Sequence, residues 1–352
     1  MKISIMDVAR QAGVSKSTVS RVLTGHPRVQ KETRERVEQA IQALGYRPNA
    51  LARGLARGRT YTLGLVLFAL QNPFFGLVAQ GAEMAARARG YHMLITTNGT
   101  LDREQQQACL GMLAERRVDG ILIAPLQTEE QDLVEIQKIG VRTVLLDTTD
   151  GRGILSSVGG DNVQGGYLAT KHLLDLGHRR IGVLSHLSSL SSVRQRLQGY
   201  CQAHVEKGVN IDTQLIMRDL SNMHMVREAV HHLLNLPEPP TALFAINDDY
   251  AIAALQTLAL REYWVPEDIA LMGYDDLPIA SWLTVPLTTV NQPKEEMGRI
   301  ATDLLIDQIE HPELPVRHII LPPHLVVRRS CGAKKKAHNE SFSLSRMDEE
   351  DI

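Results

Sequence analysis

The chain has 352 residues, of which 43% are hydrophobic and 22% charged, with a formal net charge of −2. That length suggests roughly two domains beside any small module, with enough apolar content for large cores. Cys109, Cys201 and Cys331 are spaced too widely for a disulfide framework, no apolar run approaches the ~18 residues of a membrane span, and the N-terminus lacks a signal-peptide core. Secreted and membrane-spanning classes are thereby excluded, and a reducing, cytoplasmic setting is expected.

The charge is unevenly placed. Residues 1–60 carry twelve Lys and Arg against four acids, a net of +8, so the remaining 292 residues carry −10. A basic head on an acidic body orients a molecule on a polyanion, with only the head touching it.

In chain order, the first predicted helix starts at Ser4, whose hydroxyl is expected to cap the orphan amides with Asp7 three residues on. Ile5, Val8, Ala9 and Ala12 share one face, and Gly13 ends the helix where the turn needs a positive φ. A second helix restarts at once with Ser15 as its cap. Thr18, Val19, Val22 and Leu23 split into a wall-facing set and a buried set, which leaves Lys16, Ser17 and Arg21 pointing outward from the part of a helix that reaches base edges in a major groove. Arg21 suits bidentate pairing with guanine. Lys31 to Leu44 form a third helix with Val37, Ala40, Ile41 and Leu44 at core spacing, closed by Gly45. Together these are the parts of a helix-turn-helix DNA reader. Ser4, Ser15, Lys16, Ser17, Thr18, Ser20 and Arg21 are assigned to DNA contact.

Residues 46–60 connect head to body. Pro48 ends the preceding helix, and 49–56 has helical spacing but is too short to be stable alone, with Gly54 weakening it by ~1 kcal/mol against alanine. Ordering on docking is the expectation for such a segment, and a plain flexible linker is the alternative.

From residue 62 short apolar strands alternate with helices. Strands are predicted at 63–68, 92–97, 120–124, 143–146, 181–185, 242–246 and 269–273, with helices such as 75–89 and 167–176 between them. That alternation means parallel sheets covered on both faces, and this many strands need two α/β subdomains with a cleft between them. Ligands bind such sheets at the carboxyl ends of the strands, which draws attention to Asn72, Asp147, Asp161, Asn247, Asp248 and Asp275, joined by Arg196 at the start of a helix. Carboxylate, amide and guanidinium converging on a cleft suit a neutral polyhydroxylated ligand or an anion. For Asp248, Asp249 and Asp276 a helix-cap or turn role is preferred.

After residue 332 come three lysines and a polar tail ending in acids, expected to be disordered. No leucine heptads appear there, so a two-fold homodimer is the default. No dinucleotide, P-loop, zinc-protease, redox or nucleophile-elbow motif is found, and the neighbouring His231 and His232 face different ways on a helix. An enzyme is therefore not expected, nor a cofactor or metal. A solute-binding transporter component would share the body but would need an export signal and no basic head.

The stretch from Asp7 to Leu23, with Thr33 to Val37 and Leu44 to Leu55, resembles the signature of the LacI/GalR family of bacterial transcriptional regulators. The body resembles that family's effector domain through Asn72 to Phe75, Val118 to Leu122, Asp161 to Gly166, Leu176 to Ile181, Arg196 to Tyr200, Asn247 to Asp249, Gly273 to Asp276 and Pro286 to Pro293. The resemblance implies an N-terminal all-α helix-turn-helix headpiece on a periplasmic-binding-protein-like α/β body of two parallel-sheet subdomains. It implies a hinge that pairs with its dimer mate in the minor groove, contributing Asn49 and Ala52, with Leu55 wedged between base pairs. It places Phe74, Phe75, Asp161, Arg196, Asn247 and Asp275 in the effector pocket, and Asp147 joins them from its strand end. Partners on this reading are a double-stranded DNA operator, a second copy of the chain, and an effector that is a sugar, sugar phosphate, nucleoside or purine. A repressor is the implied direction. Several members carry an aromatic ring where this chain has Leu220; Trp282 is the candidate replacement, although a core position is the preferred reading for it. Domain limits are expected at 1–45, 46–60 and 61–332, with the chain crossing between subdomains near 161, 291 and 322, followed by a tail at 333–352.

Overall fold

A computed structural model of the chain describes residues 3–23, 28–46, 59–68, 71–97, 103–124, 130–148, 153–186 and 189–333. The head is three helices, α1 (Ile5–Ala12), α2 (Lys16–Leu23) and α3 (Lys31–Leu44). They close on a small core of Val8, Ala9, Ala12, Val19, Val22, Val37 and Ala40. Gly13 takes φ 64 and Gly45 φ 60, the left-handed geometry that lets each helix stop and the chain reverse. Ser4 and Asp7 form the expected capping box at the start of α1: the Ser4 amide donates to Asp7 Oδ2 at 2.9 Å, and the Ser4 hydroxyl donates to the same oxygen at 2.7 Å. Ser15 Oγ accepts from the Thr18 amide at 3.1 Å and starts α2.

The body opens with β1 (Thr62–Leu67), α4 (Pro73–Ala88), β2 (His92–Thr97), α5 (Arg103–Glu115), β3 (Gly120–Ala124), α6 (Glu130–Lys138), β4 (Arg142–Leu146) and β5 (Ser156–Gly160). It continues with α7 (Asn162–Asp175), β6 (Ile181–Leu184), α8 (Ser191–Glu206), β7 (Ile216–Met217), α9 (Met223–Leu234), β8 (Ala242–Ala245), α10 (Asp248–Leu260) and β9 (Ala270–Met272). The last elements are β10 (Thr289–Asn291), α11 (Lys294–Glu310), β11 (His318–Leu321) and β12 (His324–Val326).

The strands form a six-stranded sheet in the order β11-β5-β4-β3-β1-β2 and a four-stranded sheet in the order β7-β6-β8-β9, with β10 and β12 as a separate pair. Every pairing within the two larger sheets is parallel, and β10 with β12 is antiparallel. The chain leaves the first sheet after β5, returns to it through α11, and leaves again before β12. Each lobe therefore has its own buried core, one around Leu65, Leu122 and Met297 and one around Val183, Phe244 and Leu271.

Two helix pairs approach to backbone contact, and glycine makes this possible. A Cβ on Gly81 of α4 would lie 2.0 Å from Glu295 O of α11, and one on Gly166 of α7 would lie 2.1 Å from Arg196 O of α8. The first pair fixes where Phe74 and Phe75 stand. The second fixes Arg196.

Candidate functional site

On the head, Ser15, Lys16, Ser17 and Arg21 are exposed, and Thr18 and Ser20 are half-buried along the same helix. Ser4 is exposed at the start of α1. The apolar side of α2 is spent on Val19 and Val22. Its outer side thus presents a guanidinium, an ammonium and hydroxyls, the donors that base edges and phosphates accept. Asn49, Ala52 and Leu55 lie outside the described residues.

The body's cleft has a volume of about 190 Å³ and is lined from both lobes. The first lobe contributes Phe68, Asn72, Phe74, Phe75 and Asp147; the second contributes His186, Arg196, Ser221, Asn222, Asn247, Asp249, Tyr250 and Asp275 among others. Asp147, Asn247 and Asp275 stand just beyond the carboxyl ends of β4, β8 and β9. The rule for ligand sites in parallel sheets is met on both sides of one gap.

Arg196 organises the second lobe's side. It lies in the second turn of α8 rather than at the helix start, because α8 already begins at Ser191. Its Nε donates to Asn162 Oδ1 at 2.8 Å and its Nη1 donates to Ile246 O at 2.7 Å. Nη1 also stands 3.8 Å from Asp275 Oδ1, and the guanidinium carbon sits 3.8 Å from the centroid of the Tyr274 ring. A planar fork held edge-on by acceptors and flat-on by a ring has one orientation.

Asp275 holds φ 111, a strained value for a side chain with a Cβ, and is kept there by Gln292 and Lys294. Gln292 Nε2 donates to Asp275 Oδ1 at 2.8 Å, and the Lys294 ammonium donates to the carbonyls of Asp275, Asp276 and Gln292. Asp147 also has a positive φ, 51, and its Oδ1 is buried with no hydrogen-bond partner among the described residues. A buried acceptor without a donor is costly, and a ligand hydroxyl or N–H would satisfy it.

Asn247 Oδ1 caps α10 by accepting from the Tyr250 amide at 2.8 Å, which leaves the side-chain NH₂ as the group it can offer. Asp161 caps α7 through Gln164 at 2.9 Å and is not among the residues lining the cleft; its neighbour Asn162 is the one that reaches Arg196. Asp249, read as a cap or turn, lines the cleft, whereas Asp248 is fully buried behind it. The expectation for Trp282 is overturned: it is 78% exposed, neither core nor cleft, because it follows a short surface turn. Leu220 is 5% exposed and belongs to the second lobe's core. The ring on that side of the cleft comes from His186, stacked on Tyr250 with centroids 5.7 Å apart, opposite the edge-to-face pair Phe74 and Phe75. Residue type alone did not mark His186; its place after β6 was the available signal.

Burial dominates the cleft's protonation. It pushes Asp147 up to about 6 and Asp275 up to about 7, with Arg196 opposing both shifts. Burial, aided by the Asp275 charge, pushes Asp248 up to about 8 although it accepts from the Leu277 amide and the Thr289 hydroxyl. Burial and then Arg196 hold His186 below the usual imidazole range, so it is neutral. A carboxyl whose folded value is raised binds more protons folded than unfolded. Its contribution to stability is therefore fully present below the ordinary value near 3.8 and is lost as pH rises through 6 to 8. The denaturant midpoint should fall as pH is raised from 6 to 9, and Asp248→Asn should flatten that slope above pH 7. A wild-type midpoint constant over this range would contradict the assignment.

A basic helix-turn-helix head joined to a two-lobed body with a polar cleft at its strand ends is the architecture of a ligand-responsive DNA-binding regulator. Comparison with known proteins agrees. Residues 4–49 match the description of bacterial regulatory proteins of the lacI family, and residues 170–331 match a periplasmic binding protein-like domain. The chain is 37% identical over 329 residues to the ribose operon repressor of Escherichia coli strain K12, covering 93% of this chain and 99% of that one. It is 35% identical over 330 residues to the transcriptional repressor PurR of Photobacterium profundum, covering 93% and 98%. A solved lac repressor dimer bound to operator and the anti-inducer ONPF superposes with a TM-score of 0.85 at 27% identity, covering 94% of this chain and 99% of that one. The chain belongs to the lacI family of bacterial regulatory proteins, and it is a DNA-binding transcriptional repressor.

Proposed function

We propose that the chain acts as a homodimer on a pseudo-palindromic operator in the cytoplasm, and that a neutral polyhydroxylated molecule, a sugar or close relative, controls it from the cleft. The observation that carries the ligand assignment is the charge inventory of the lining. Asp147, Asp249 and Asp275 face one guanidinium already engaged by Asn162 and Ile246, and the histidine is neutral. Hydroxyl donors answer such a lining; a phosphate ester brings more negative charge and fewer donors. The similarity to a ribose operon repressor supports the metabolite class.

On this reading residues 1–45 bind DNA, 46–60 form the hinge with Leu55 as the minor-groove wedge, and 61–332 bind the effector and the second copy, with 333–352 as a tail. Closing the cleft changes the angle between lobes, shifts the dimer mates near the hinges and alters hinge docking. Coupling of this kind is worth ~1 to 3 kcal/mol, roughly 5- to 150-fold in affinity. The chain's own work is binding and positioning, with no bond made or broken.

A thermal-shift screen of the full chain tests the ligand class, using D-ribose, cellobiose, hypoxanthine, guanine and ribose 5-phosphate. A ligand at a hundredfold its Kd stabilises by ~2.7 kcal/mol, a shift of several degrees. A neutral sugar should give that shift and lose it in Asp147→Ala. A shift with the phosphate ester alone would overturn the assignment.

A further inference from the structure

The motif from Val118 to Leu122 has no part in the cleft, and its Asp119 sits at the opposite end of the first sheet. Thr60 and Tyr61 are among the first residues described after position 46, where the chain from the DNA-binding segment enters the body. Both are fastened to one carboxylate. The Thr60 amide donates to Asp119 Oδ1 at 2.8 Å, the Thr60 hydroxyl donates to the same oxygen at 3.0 Å, and the Tyr61 amide donates to Oδ2 at 2.7 Å. The Thr60 hydroxyl also reaches Arg117 O at 2.8 Å, and the Asp119 amide donates to Thr62 O at 2.8 Å. Tyr61 is held at φ 53, a conformation that a tyrosine rarely adopts without such restraint. Arg59 Nη2 adds a bond to Ile309 O near the end of α11.

We propose that Asp119 is the positioning residue that fixes the body's end of the hinge, so that movement of the first lobe reaches the DNA-binding segment. The proposal rests on the regulator reading above. The mechanical connection is short. Asp119 immediately precedes β3, β3 pairs with β4, and β4 ends at the cleft residue Asp147. The helix α11 makes a second connection, from Lys294, which holds the Asp275 carbonyl, to Ile309, which holds Arg59. At ~1.5 Å per residue, its 17 residues span about 25 Å as one rigid rod.

A main-chain amide pair received by one carboxylate is directional, and side-chain packing cannot replace it. With the anchor in place, the two heads of a dimer start from fixed points, and the second head binds at a high effective concentration once the first is docked. Without it, Thr60 and Tyr61 are released from the first lobe, the heads no longer start from fixed points, and that advantage falls.

The test compares two duplexes with the full chain: a palindrome selected by the wild-type protein from a randomised pool, and the same duplex with one half-site scrambled. Asp119→Ala should lower the preference for full over half site by about tenfold, with half-site affinity and its salt dependence unchanged. Asp119→Asn, which keeps one acceptor oxygen, should fall between, and Thr60→Val should lose less. These two variants decide the matter if Asp119→Ala does not fold. A full-to-half-site preference equal to wild type in a folded Asp119 variant overturns the proposal. Equal losses on both duplexes overturn it as well, because they place the defect in the head. A wild-type chain that selects no duplex instead defeats the regulator reading and is recognised before any variant is made.

Discussion

Arg196→Ala is expected to destabilise the body by ~3 to 5 kcal/mol, the usual cost of breaking a buried ion pair from one side. Arg196 is 6% and Asp275 4% exposed, so solvent does little to soften the loss. The substitution removes donors from Asn162 Oδ1 and Ile246 O, strips the cation from the Tyr274 face and leaves the Asp275 carboxyl without its closest positive charge. Arg196 is also the main influence holding Asp275 down against burial, so the variant's Asp275 should titrate higher still. The effector response should vanish, while binding by the separate head to a half-site duplex persists below the variant's melting temperature. Arg196→Lys should recover only part of the loss, since a point ammonium cannot serve three acceptors in one plane and stack on a ring. Urea denaturation with a far-ultraviolet probe reads the effect. A loss under about 1 kcal/mol, the scale of an ordinary substitution, would mean that Arg196 does not hold the lobe's side of the cleft.

Arg21→Ala should cost ~1 to 3 kcal/mol at one base-pair position and relax sequence preference there, up to roughly a hundredfold. Arg21 is exposed on α2, on the side away from Val19 and Val22, so its loss should leave the head folded. Binding measured against every single-base variant of the selected duplex separates readout from charge. A guanidinium on a base edge gives a penalty confined to one position. A guanidinium on a phosphate weakens all sequences equally and lowers the salt slope, and that outcome would remove Arg21 from base recognition.

How legible these sites were depended on the range of the interactions. The head's third helix could be read to the residue, Lys31–Leu44, and the first two from their serine starts and Gly13, because caps, glycines and apolar spacing are local. Apolar strands such as β2 and β3 were equally plain. By contrast β5, Ser156–Gly160, is composed of serine, valine and glycine yet is buried at all five positions. Its polar groups are met by distant partners: Ser156 Oγ accepts from Gln308 Nε2 at 2.7 Å and from the Arg317 amide at 3.0 Å. No hydrophobic pattern announces a strand whose satisfaction lies more than 150 residues away. β11, which joins β5 in parallel, and β10 and β12 were missed for another reason: at four, three and three residues they are too short to show a period.

In the cleft, strand-end position pointed to Asn72, Asp147, Asn247 and Asp275, all of which line it, but also to Asp161 and Asp248, which do not; the family resemblance was needed to prefer Asn247 and Asp275 over a capping role. Strand-end position could not find Asn162, Gln292 and Lys294, which act by holding Arg196 and Asp275 from other segments. Nor could it separate Asp248 from Asp249. Adjacent carboxylates at one helix start face opposite ways, one locked under Leu277 and Thr289 and one on the cleft. Trp282 shows the reverse error, where a large apolar ring expected inside stands on the surface.

A basic head that reads DNA under the control of a molecule held in the distant cleft must separate specific from random duplex and do so in a ligand-dependent way. Equilibrium anisotropy of the intact protein, titrated into a selected palindrome and into random duplex of equal length at several salt concentrations, measures both. The expected specificity ratio is at least ~10³, changed 5- to 150-fold by whichever ligand stabilises the body. Equal affinity for both duplexes at every salt concentration, unaltered by any stabilising ligand, would contradict it.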